Sequence, residues 1–103
     1  MTKFFVKWWV NVELLPKTPQ EVGKLQLPML EMVKADISDR RTIDWGQFGS
    51  GACGYWITEM SEQEIFGITL KYLPVVGFEL SPVLSMDQTI DEAKKTAAAM
   101  QGQ

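Results

Sequence analysis

The chain has 103 residues, of which 46% are hydrophobic and 22% charged, and it carries a formal charge of -3. With no histidine and one cysteine, it excludes His-ligated zinc or haem, Ser-His-Asp and Cys-His catalysis, and any intrachain disulfide. Its 13 acids outnumber its 10 bases, and no Lys or Arg run exceeds two, which argues against nucleic acid as a partner.

This length fits one domain spanning 1–103. The first ten residues are too few, and too interrupted by Lys3 and Lys7, to form a signal-peptide core. No apolar stretch is long enough to span a membrane. A lone Cys53 fits a reducing compartment, so a cytoplasmic location is expected.

In chain order, Phe4 to Val12 reads as a strand, rich in aromatic and β-branched residues. Thr18-Pro19-Gln20-Glu21 then has the form of a capping box with Pro at the first helical position. The helix it opens carries Val22, Leu25, Met29, Met32 and Val33 on one face, and Pro28 is expected to kink it. Thr42 to Phe48 and Ala52 to Met60 read as a hairpin around Gly49-Ser50-Gly51. Ser61 to Glu64 caps a second helix carrying Ile65, Thr69, Tyr72 and Leu73 beside Phe66 and Leu70, and Pro74 should end it. Val75 to Leu84 is the last strand, with Pro82 marking an edge or a bulge. A third box, Ser85 to Gln88, opens a helix with Ile90, Ala93, Ala97 and Met100, expected to flank the sheet. The fold class is therefore α+β: a ferredoxin-like βαββαβ unit plus a C-terminal helix. Its four-stranded antiparallel sheet would have two helices on one face.

Strand alternation assigns the faces. Met60 and Ile65 hold the positions of a hydrophobic staple, which draws Met60, Thr58, Trp56 and Gly54 towards the helices. Phe4, Val6, Trp8, Val10 and Val12 join them, as do Val76, Phe78, Leu80 and Leu84. The second face then collects Phe5, Lys7, Trp9, Asn11, Tyr55, Ile57, Glu59 and Glu79. A face this apolar marks an interface or a ligand site, and a second copy of the chain is the simplest cover. Phe5, Trp9, Tyr55 and Ile57 are the expected dimer contacts. The phase of Ile43-Asp44-Trp45-Gly46-Gln47 does not fix the face of Trp45.

These residues carry a resemblance. Phe4 to Val10, the Asp44-Trp45-Gly46 turn, Gly54 to Glu59 running into Ser61 to Glu64, and Phe78 to Ser85 cover most of the chain. Together they resemble the dimeric α+β barrel superfamily, which includes muconolactone isomerase and small cofactor-free monooxygenases. More narrowly they are similar to a small prokaryotic family of about this length with no assigned function. The resemblance implies a homodimer with a cavity between the sheet face and the partner, but it supplies no reaction. The haem-degrading branch depends on a His ligand that this chain lacks.

On that face Trp9, Asn11, Tyr55 and Glu59 are the expected ligand contacts, for a small apolar or aromatic acid. Lys7 and Glu79 face each other on neighbouring strands. They are candidates for acid–base work in an isomerase or oxygenase without a cofactor, although a cross-strand ion pair is the favoured reading. No metal ligand set is present. Gly49-x-Gly51-x-x-Gly54 spells a dinucleotide fingerprint, but it joins two strands instead of opening a helix, so it reads as hairpin glycines. RNA-binding sheets stack bases on such aromatics, yet Glu59 and Glu79 share the face. The competing function is a structural or regulatory dimer module, which would leave no ligand-sized void, roughly 300 Å³ or more.

Overall fold

A computed structural model describes residues 2–102. Eight elements follow one another: β1 (Lys3–Val10), a 3₁₀ turn (Val12–Leu14), α1 (Pro19–Ile37), β2 (Thr42–Gln47), β3 (Cys53–Thr58), α2 (Glu62–Thr69), β4 (Val76–Val83) and α3 (Met86–Gln101). The strands form one antiparallel sheet in the order β2-β3-β1-β4, so the fold is α+β with a four-stranded sheet and three helices.

Each helix start is fixed by a side chain. Thr18, Ser61 and Ser85 accept hydrogen bonds from the amides of Glu21, Glu64 and Gln88. Only Ser85 has the reciprocal bond, from its own amide to the Gln88 side chain. α1 runs continuously through Pro28.

The core forms where the helix-side residues of the sheet meet α2. Phe4, Val6, Trp56, Met60 and Ile65 make one cluster, and Trp8, Tyr72 and Val76 make another. The staple pair is fully enclosed. Trp45 belongs to this side, stacked on Trp8 at 5.5 Å and 9°.

Several expectations are corrected. β1 ends at Val10, after which the chain turns into the 3₁₀ segment Val12–Leu14 and leaves Val12 exposed. α2 ends at Thr69, and Phe66, Leu70 and Leu73 point to solvent while Tyr72 is buried. Met32 and Leu84 are exposed, so neither is core. The flanking role of α3 fails outright: it buries no residue. The molecule measures 65 × 27 × 24 Å, with a radius of gyration of 18.1 Å against about 13 Å for a compact chain of this length. α3, about 24 Å long, stands off the body.

Candidate functional site

The two faces of the sheet offer different chemistry. On the second face, Lys7 sits in register between Tyr55 and Glu79, as strand alternation requires. Both charged side chains are exposed, yet no ion pair joins Lys7 and Glu79 among the described residues. The expected cross-strand salt bridge is therefore absent.

The aromatics of this face lie flat on the sheet. Trp9 covers Gly77 of edge strand β4, and Tyr55 covers Gly46 of edge strand β2. A Cβ at either glycine would collide with the ring above it. Phe5 stacks on Tyr55 at 6.2 Å and 4°. These rings are half-buried before any partner arrives. Ile57, also half-buried, pairs with Phe5.

Of the other expected contacts, the Asn11 side chain is committed elsewhere. Asn11 lies beyond β1, and its side-chain amide donates to the Pro74 carbonyl at 2.6 Å. Glu59 follows β3, and its backbone N–H bonds Arg41. Cys53 is half-buried and free. The three fingerprint glycines fall in the β2–β3 hairpin, where Gly51 has φ 93°.

The opposite face holds a feature that sequence reading missed. Beneath α1 runs a cavity of about 250 Å³. Its floor is Trp8, Trp45, Trp56, Val76 and Phe78, and its roof is Val22, Leu25, Met29 and Val33 of α1. α1 encloses no residue fully, so the helix spans this space without filling it. The Trp8 indole N–H is buried without a hydrogen-bond partner.

Its polar wall is small. Tyr72 O–H donates to Asp36 Oδ2 at 2.6 Å, and Lys71 Nζ meets Asp36 Oδ1 at 2.8 Å. Burial, then the bond to Asp36 and its charge, push the Tyr72 phenol well above its ordinary value. Tyr55 is also raised, mainly by its 2.6 Å bond to Asp44. A shallow, open cleft nearby is lined by structural ion pairs. Arg41 meets Asp39 at 3.0 Å and Glu64 at 2.6 Å, and its bonds hold the Asp39 carboxyl down at about 2. Among the described residues no group of three His, Cys, Asp or Glu side chains could hold a metal. No helix is long and apolar enough to cross a membrane.

These phenols give the first prediction. A raised folded-state value means folding favours the neutral form. That contribution is full below about pH 10, the ordinary phenol value, and is lost as pH rises above it. The folded protein should therefore show less tyrosinate absorbance near pH 10 than free tyrosine does, since Tyr55 and Tyr72 are its two tyrosines. A native titration midpoint at or below that pH for either residue would contradict the geometry.

Against known proteins, the chain matches no family model and no curated relative.

Proposed function

We propose that the protein is a small-molecule-binding domain that works as a homodimer, with its ligand beneath α1. The observation that carries this is the apolar cavity between α1 and three tryptophans. Its volume is a little under the usual pocket range of about 300–1,000 Å³, which suits a compact ligand. A cavity of about 150 Å³ takes benzene, so this one has room for a bicyclic aromatic.

The strand order, read from the other edge as β4-β1-β3-β2 around two βαβ halves, supports a ferredoxin-like topology. The open second face supports assembly as a dimeric α+β barrel, the superfamily that the sequence resembles. A second copy is the natural cover for Phe5, Trp9, Tyr55 and Ile57, and for α3. Along α3, Met86, Ile90, Ala93, Ala97 and Met100 repeat at alternating steps of four and three, the pattern of a helix–helix seam. No element of the same chain covers it. With its single free thiol, the protein fits the cytoplasm.

Binding is favoured over catalysis, because Lys7 and Glu79 lie across the sheet from the cavity and cannot reach its contents. Isomerase or oxygenase chemistry on a bound ligand would fall to Tyr72 and Asp36.

Nitrogen-edited NMR of the four indole N–H groups separates the two faces. Naphthalene should shift Trp8, Trp45 and Trp56, which line the cavity, and leave Trp9 still. A saturable shift at Trp9 alone would move the site to the second face. No shift at any indole would favour the dimer module without a ligand.

A further inference from the structure

The polar wall of the cavity specifies what its ligand must carry, an inference that rests on the cavity being the binding site. Besides three indoles, four polar side chains line it: Gln26, Gln47, Asp36 and Tyr72. Gln26 and Gln47 are exposed, and their amides both donate and accept, so neither selects. Asp36 and Tyr72 are the enclosed pair. The carboxylate only accepts hydrogen bonds, and the phenol spends its one hydrogen on Asp36 Oδ2. Asp36 Oδ1 already accepts from Lys71 Nζ at 2.8 Å, so what this pair leaves over for a ligand is lone pairs alone. The Trp8 N–H, among the described residues the one buried side-chain donor left without a partner, is covered by its surroundings and offers nothing to a ligand.

We infer that the cavity selects an apolar, one- or two-ring molecule bearing a hydrogen-bond donor, an alcohol, a phenol or an amine. A carboxylate or an ether of the same shape would leave Asp36 and Tyr72 facing another acceptor. This departs from the small apolar or aromatic acid expected on the other face. Recognition resides in Tyr72 and Asp36, while Trp8, Trp45 and Met29 supply shape.

Naphthol, its methyl ether and naphthalene make the test, with indole N–H shifts reporting occupancy. Naphthol should bind about tenfold or more tightly than the ether, the size expected of a hydrogen bond to a charged acceptor network. Tyr72→Phe keeps the ring and should bring naphthol affinity down towards that of the ether. Asp36→Asn replaces an acceptor oxygen by a donor and should raise the affinity of the ether. Should wild type hold the ether as tightly as naphthol, donor selection is wrong, while shifts at Trp8 and Trp45 still place a ligand in the cavity. If none of the three compounds moves those indoles, the cavity reading and this inference fall together.

Discussion

Gly54→Ala is expected to destabilise the protein by about 3 kcal/mol or more, the upper end of overpacking costs. Gly54 is buried in β3, directly opposite Trp8. A Cβ there would fall on the Gly46 carbonyl oxygen of β2 and on the benzo edge of Trp8. A side chain can swing aside, but a backbone oxygen in a ladder cannot. Moving Trp8 also breaks its stack with Trp45, and both rings form the cavity floor. For a chain of this length the melting temperature should fall by roughly 15 °C. Gly49→Ala is the matched control, because nothing lies within 4 Å of its added methyl. It should change stability by less than about 0.5 kcal/mol. Thermal melts of the two variants decide the matter, and equal melting temperatures would refute the packing argument.

Gly54 also shows what was legible in the sequence. The staple between Met60 and Ile65 fixed the parity of β3, and Gly54, Trp56 and Thr58 are buried on the helix side as that parity requires. Trp45 resisted the same logic for a physical reason. The register slips between Thr42 and Asp44, and such a bulge destroys the period of two on which face assignment depends. Strand ends were overrun because apolar residues continue past them: Val12 and Leu84 extend the alternation, but backbone bonds to neighbouring strands have stopped. The Lys7–Glu79 register was readable from topology, whereas the absence of their ion pair depends on rotamers that no pattern encodes. The cavity was invisible because it is set by the height of α1 over the indoles, a distance that hydrophobic periodicity does not contain. A sequence signal did exist in the glycines. Gly46, Gly54 and Gly77 each oppose or neighbour an aromatic in register, which marks where rings lie flat on the sheet.

Trp9→Glu should convert the proposed homodimer to monomer. Less than about a third of each of Phe5, Trp9, Tyr55 and Ile57 is open, since each already rests on its own sheet. Four such side chains on two subunits offer roughly 450 Å², worth about 10 kcal/mol at 25 cal/mol per Å². Association costs about 4–15 kcal/mol, so the sheet face alone sits near balance. In the proposed dimer the exposed seam of α3 would tip it, and a second substitution there separates the contributions. A glutamate at Trp9 places like charges across a two-fold axis and uncovers Gly77, so it should lower both assembly and melting temperature. Ile90 is exposed on α3, so Ile90→Glu should weaken assembly while the helical and sheet signals of the monomer persist. Sedimentation at micromolar concentration reads both. Wild type moving as an 11.7 kDa species would remove the homodimer altogether. Dissociation by Trp9→Glu with Ile90→Glu still dimeric would confine the interface to the sheet face and leave α3 free for another role.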